Sequence, residues 1–236
     1  MIFSYWKRCV AEAIGTFGFF FIGFSGVALS VTQPTQIGSV AVAIGFGLGL
    51  ALMIFAFGHI SGGHFNPAVT VALVAGRQFP IREVIGYWLA QLVGGAVAAA
   101  TVIATFGDTV SNHLVTAPGP GTTKLVALVL ETIVTALFVI VVSAVATDRA
   151  PWSGTLAPVA IGGFIGAAAM VIGPVSGGSF NPARSLAPAL FATNATDLWI
   201  YMVGPFAGAI VGGFVYWLIR ADEGEGELEE LADKPR

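Results

Sequence analysis

Long apolar stretches alternate with short polar breaks along the chain, and the long stretches have the length of membrane spans. A helix needs about 20 apolar residues to cross roughly 30 Å of hydrocarbon. Six stretches meet that measure, at about residues 9–31, 38–58, 83–106, 124–147, 156–173 and 197–220. Turn-forming residues separate them, as in Thr32-Gln33-Pro34-Thr35, Ala117-Pro118-Gly119-Pro120-Gly121 and Asp148-Arg149-Ala150-Pro151. Small residues recur four apart, at Gly45/Gly49, Gly162/Gly166 and Gly204/Gly208/Gly212. That spacing puts them on one helix face, where backbones can approach closely. The first stretch follows Lys7-Arg8 and is longer than the apolar region of a secretory signal, so it reads as a transmembrane helix.

Two further apolar segments are too short to span. Residues 66–75 reach about 15 Å as a helix, half the membrane. Residues 181–191 form the counterpart. Each opens with Asn, a good N-cap, then Pro at the first helical position, where a missing N–H does no harm. A glycine-rich run precedes each: Ser61-Gly62-Gly63-His64-Phe65 and Ser176-Gly177-Gly178-Ser179-Phe180. The two runs lie 115 residues apart and agree at Ser, Gly, Gly, Phe, Asn, Pro and Ala. Glu12 and Glu131 likewise open the first and fourth spans, 54 and 50 residues before their Asn. The pattern predicts an all-α membrane protein with six transmembrane helices and two re-entrant half-helices. Three spans reverse the chain, so the second copy is inverted relative to the first. The repeats are placed at 1–116 and 117–221, followed by an acidic tail at 222–236.

Composition narrows the picture. Of 236 residues, 56% are hydrophobic and 10% charged, against about 25% charged in soluble domains. The solvent around most of the chain is therefore expected to be lipid. A single cysteine, Cys9, excludes an internal disulfide framework. No basic patch supports nucleic-acid binding, and the net charge of −3 comes largely from Asp222 to Glu230. With the N-terminus inside, Lys7, Arg8, Arg77, Arg82, Arg149 and Arg220 all fall on the cytoplasmic side; of the basic residues near the spans, that leaves Lys124 and Arg184 elsewhere. That bias predicts both termini in the cytoplasm, and the plasma membrane is the expected location.

Irregular backbone at membrane depth survives where it is buried in protein or lines a water-filled cavity. Half-helices entering from opposite faces would point two positive N-termini at one place, with Asn66 and Asn181 offering N–H donors there. Such a site suits a small neutral molecule with lone pairs and hydrogens, and its dipoles disfavour cations. A water held by two amide donors cannot readily accept from its neighbour, which interrupts a proton wire. An enzyme would need a converging nucleophile, base or metal-ligand set. The intramembrane polar residues instead belong to the duplicated motif, so no catalytic residue, metal or cofactor is assigned.

The residues Ala11-Glu12-Ala13-Ile14-Gly15-Thr16, Gly58-His59-Ile60-Ser61-Gly62-Gly63-His64-Phe65-Asn66-Pro67-Ala68-Val69-Thr70 and Asn181-Pro182-Ala183-Arg184-Ser185 carry a specific likeness. Over about residues 5–220 the chain resembles the aquaporin (major intrinsic protein) family, as a prokaryotic water-channel-like member. The resemblance implies a homotetramer with a passive water pore in each subunit that excludes ions and protons. It also implies a narrow filter formed by Phe46, Ala169, Gly178 and Arg184. Phe46 and Arg184 match the water-selective pattern, whereas Ala169 stands where such members usually carry His. With Gly178 adding no side chain, a wider and less polar constriction is expected. Ser185 and Ala189 match water channels rather than glycerol-conducting relatives; Tyr201 agrees with an expected aromatic, and Met202 replaces a usual Trp. Glu12 and Glu131 are expected to support the re-entrant loops, and His64 to line the pore or steady its loop. Two alternatives stay open: a facilitator for glycerol, hydrogen peroxide or ammonia, and a structural membrane protein with a closed pore.

Overall fold

The computed structural model describes residues 3–35, 38–146 and 154–220; the break at 148–151 and the acidic run at 222–236 lie outside the described residues. In chain order the first half holds α1 (Tyr5–Thr32), α2 (Ser39–Ser61), α3 (Pro67–Ala75), α4 (Val84–Phe106) and the one-turn α5 (Ser111–Leu114). The second holds α6 (Lys124–Ala146), α7 (Ala157–Val171), the one-turn α8 (Gly173–Ser176), α9 (Pro182–Ala189) and α10 (Leu198–Ile219). Helices α1, α2, α4, α6 and α10 are long and apolar enough to cross a membrane. With α7 they make the six spans read from the sequence.

The fifth span is shorter than the apolar stretch 156–173 suggests. Its 15 residues reach about 22 Å. Ile172 and Gly173 are as apolar as the span, but Pro174 cannot donate into its ladder. The N–H groups of Val175 and Ser176 both turn to the Ile172 carbonyl, and the chain leaves the helix as α8.

These helices have apolar residues all round, so lipid and protein faces are not told apart by polarity. Small residues mark part of the protein face. On α4 the exposed row is Ile85, Leu89, Val93 and Val97, while Gly94, Gly95, Ala98 and Ala99 are buried. Lipid tails attract Leu as well as a neighbouring helix does, so association rests on close packing of small residues.

The packing is two-fold in pattern. α1 packs on α4 as α6 packs on α10, α1 on α2 as α6 on α7, and each half-helix crosses to the other half, α3 against α10 and α9 against α4. α2 and α7 meet across the centre. There Gly47 and Gly162, 115 residues apart, face each other. A Cβ on Gly47 would lie 2.6 Å from the Gly162 carbonyl oxygen, and one on Gly162 would lie 2.4 Å from that of Gly47. Both contacts are with backbone, so no side chain can yield. The tight position on α2 is thus Gly47, between the Gly45 and Gly49 marked by their spacing. Gly45 has only ordinary contacts with Ile22 of α1, because its face is turned by half a helix circuit from the α7 crossing. On α10 the expected face does pack tightly: Gly208 and Gly212 each bring a backbone within 2.3 Å of where a Cβ would stand.

Candidate functional site

Each half-helix is started by its own Asn. The Asn66 side-chain oxygen accepts from Ala68 N at 2.8 Å, and that of Asn181 from Ala183 N at 3.0 Å and Arg184 N at 3.3 Å. With Pro67 and Pro182 at the first helical positions, most of the free donors of the first turn are accounted for. The amide nitrogens then cross between the halves. Asn66 Nδ2 donates to the Phe180 carbonyl and Asn181 Nδ2 to the Phe65 carbonyl, each at 2.9 Å. Every amide has two N–H groups. One is committed to the opposite loop, and the second is left for the passage both residues line.

The loops that present these groups are strained in matching places. Phe65 and Phe180 have φ of 46° and 52°, in the left-handed region that a bulky residue rarely occupies. Such a conformation costs about 1–3 kcal/mol and persists where the surroundings over-determine it. Two buried carboxylates supply that constraint. Glu12 accepts from Ser61 Oγ (2.7 Å), His64 N (2.9 Å), Phe65 N (2.8 Å) and Gln91 Nε2 (2.8 Å). Glu131 accepts from Ser176 Oγ (2.7 Å), Ser179 N (3.0 Å) and Phe180 N (2.8 Å). Tyrosine hydroxyls close both loops from behind, Tyr87 on Ser61 O at 2.6 Å and Tyr201 on Ser176 O at 2.5 Å.

Behind the Asn pair the halves differ. In the first, Thr70 Oγ1 donates to Asn66 O and accepts from Gln91 Nε2. His64 Nδ1, 3.1 Å from Thr70 Oγ1, is therefore the donor of that pair, which leaves Nε2 as an acceptor. In the second half, Ser179 stands in place of His64 and Ser185 in place of Thr70, their oxygens 2.6 Å apart.

Arg184 lies one residue past the second Asn-Pro-Ala and is buried. Its Nη1 donates to Leu114 O at 2.9 Å, and its guanidinium lies over the rings of Phe46 (5.2 Å) and Phe24 (5.7 Å). Three cavities adjoin in series. The first, about 340 Å³, and the central one, about 20 Å³, share Phe46, Ala169, Gly178 and Arg184 as lining. The central one and the third, about 210 Å³, share Leu50, His64 and Phe138. The central volume is close to that of a single water.

All four residues expected in the filter thus line one narrow segment, with Asn66, Asn181 and His64 further along it. Gly178 carries no side chain for a reason of its own: φ is +62°, and a Cβ there would lie 2.9 Å from Gly173 Cα. Tyr201 and Met202 sit apart, in a small cluster with Ala127 and Ile200, so neither lines the narrow segment. Cys9 is near the start of α1, beside Tyr5 and Gly86. Sequence reasoning missed Gln91, Thr70, Tyr87 and Thr116. Tyr87 was findable, since it precedes Tyr201 by nearly the interval separating the motifs; Gln91 aligns with Pro205 and has no such echo.

Known proteins resemble the chain over the same extent. The model of the family described as Major intrinsic protein matches residues 2–216. Aquaporin NIP1-1 of Oryza sativa subsp. japonica is 41% identical over 216 residues, covering 91% of this chain and 74% of that protein. Nodulin-26 of Glycine max is 39% identical over 215 residues, covering 91% and 78%. The X-ray structure of the aquaglyceroporin from Plasmodium falciparum matches with a TM-score of 0.81 and covers 97% of this chain and all of that one. Identity there is 24%, so that likeness is one of fold.

Proposed function

Because the chain belongs to the major intrinsic protein family, we propose that it is a passive channel, not an enzyme, whose cargo is water passing in single file between Asn66 and Asn181. The observation that carries this reading is a central cavity of about 20 Å³ joining two far larger ones, with paired amide donors on its wall. A water there accepts from the free N–H of each Asn, and its own hydrogens point away along the file in both directions. Its neighbours cannot donate to it, so no continuous proton wire forms. The N-termini of α3 and α9 and the Arg184 guanidinium make the same stretch unfavourable for cations.

Phe46, Ala169, Gly178 and Arg184 act as the filter, Arg184 supplying donors and Phe46 an apolar wall. Ala169 and Gly178 favour a second cargo class, small neutral solutes such as glycerol, hydrogen peroxide or ammonia, since neither projects a polar side chain across the passage. Glu12 and Glu131 hold the loops in their strained form, and His64 receives hydrogens on the inner side of the Asn pair. The working unit is a homotetramer in the plasma membrane, with both termini cytoplasmic and the two repeats meeting near residue 116.

Stopped-flow light scattering on proteoliposomes tests the reading. Fast shrinkage in a sucrose gradient, abolished when Arg184 and Asn181 are replaced by bulky residues, is expected. Shrinkage no faster than that of empty vesicles would leave a structural membrane protein with a closed pore.

A further inference from the structure

The segment joining the two halves lies across the outer side of α9 and is fastened along its length. Asn112 Oδ1 accepts from Thr193 N and Oγ1 (3.0 and 3.1 Å), and Leu114 O from Arg184. Gly119 N donates to Val175 O at 2.8 Å. The fit is close: a Cβ on Gly119 would lie 2.0 Å from Pro174 O, and one on Gly177 would lie 2.8 Å from Ala117 O. The segment therefore touches the guanidinium of Arg184, one of the four filter positions, and the residues just before Gly178, another.

In its middle is Thr116, 3% exposed although it belongs to a connection rather than a helix. Its hydroxyl donates to Ser185 Oγ at 2.7 Å. Ser185, fully buried, lies 2.6 Å from Ser179 Oγ, and Ser179 Oγ donates to Asn181 O at 2.9 Å. The protons can be counted. Thr116 gives its hydrogen to Ser185, so Ser185 gives its own to Ser179, and Ser179 passes its own to the carbonyl. Three hydroxyls run in one direction and end on the backbone of the second Asn. In the first half Gln91 and Thr70 do the corresponding work from a helix; here the source is the linker.

We infer that Thr116 is a positioning residue for selectivity: its hydroxyl fixes the direction of the Ser185–Ser179 relay and pins the linker whose Leu114 carbonyl holds Arg184. This rests on the reading of Phe46, Ala169, Gly178 and Arg184 as the filter. Without that hydroxyl, Ser179, which lines the narrow segment, can turn its hydrogen toward Ser185, and the Asn181 carbonyl then keeps only its bond from Arg184 N. The linker also loses the anchor two residues from Leu114, which loosens the carbonyl that holds the guanidinium.

The test measures glycerol and water permeability per channel in proteoliposomes for Thr116→Val, Thr116→Ser, Ser185→Ala and Arg184→Val. The ratio of glycerol to water permeability is expected to rise about fivefold in Thr116→Val, the factor one buried hydrogen bond corresponds to. Thr116→Ser restores it. A purely structural role would lower both permeabilities together and leave the ratio alone. Ser185→Ala cuts the same relay from the other end and raises the ratio even if the valine variant does not reach the vesicles. An unchanged ratio in Thr116→Val and Ser185→Ala, with a raised ratio in Arg184→Val, overturns the inference and leaves the filter standing. An unchanged ratio in all of them overturns the filter reading, and this inference with it.

Discussion

Replacing Glu131 by alanine is the sharpest test of how the second loop is held. The carboxylate is fully buried and accepts from Ser176 Oγ, Ser179 N and Phe180 N. Truncation leaves these three donors facing an apolar hole. A buried donor left without an acceptor costs about 1–3 kcal/mol, so the loss comes to about 3–9 kcal/mol. The Ser176 hydroxyl can rotate to another acceptor, which favours the lower part of that range. The two backbone N–H groups cannot, because Phe180 is held at φ 52° and turning its amide away would move the carbonyl that Asn66 binds. Whole-protein stability is typically about 5–15 kcal/mol, so much of it would go. For a chain of this size each kcal/mol shifts Tm by about 2–4 °C, which sets an expected drop of at least about 6 °C in detergent. Water permeability per channel should fall with it, since the Phe180 carbonyl orients Asn66. Glutamine at the same place keeps one acceptor oxygen and should lie between the two. Should Glu131→Ala melt within 2 °C of the parent and conduct water normally, the carboxylate would not be what holds the strained loop.

Other substitutions probe separate parts of the molecule. Ala169→His should narrow the filter and suppress glycerol flux while water flux in the same vesicles stays high; equal glycerol flux would remove Ala169 from the account. Gly162→Ala places a methyl 2.4 Å from the Gly47 carbonyl, and overpacking of that kind costs about 1–3 kcal/mol, visible as a lowered Tm. Lys124→Ala breaks an ion pair with Asp197 whose Lys side chain is 57% exposed, and thermal melts should register less than about 1 kcal/mol. Mercurials should leave water flux intact, since Cys9 lies outside the narrow segment; block that persists in Cys9→Ser would point to a non-thiol effect.

Much of this was legible in one sequence because the chain says things twice. The Asn-Pro-Ala motifs and glycine runs drew attention by recurring at a fixed interval, and span lengths followed from the thickness of hydrocarbon. Repetition also drew attention to Glu12 and Glu131, whose partners are mostly backbone N–H groups of the recurring loops. What stayed hidden was whatever occurs once. Gln91 is a lone amide in an apolar helix, and its aligned partner is Pro205. Thr116 lies in a linker and touches Ser185 only after the halves have folded together. Glycine spacing gave a face for α2 but not its partner: Gly47 lies at the α7 crossing and Gly45 against α1. The short fifth helix followed from a proline whose effect depends on where Ile172 directs its carbonyl.

The crossed amides have a further consequence. Asn66 grips a carbonyl from the second half, and Asn181 grips the equivalent carbonyl of the first. Each half is both clasp and eye, and the two joints are equivalent under the two-fold pattern of the packing. A single half inserted in both orientations would therefore meet its own complement as an antiparallel pair and close an identical ring. One half's worth of sequence is enough to specify such a centre; the linker and the positions that differ between the halves are additions to it. Gln91 and Pro205, His64 and Ser179, and the relay beginning at Thr116 are among those additions.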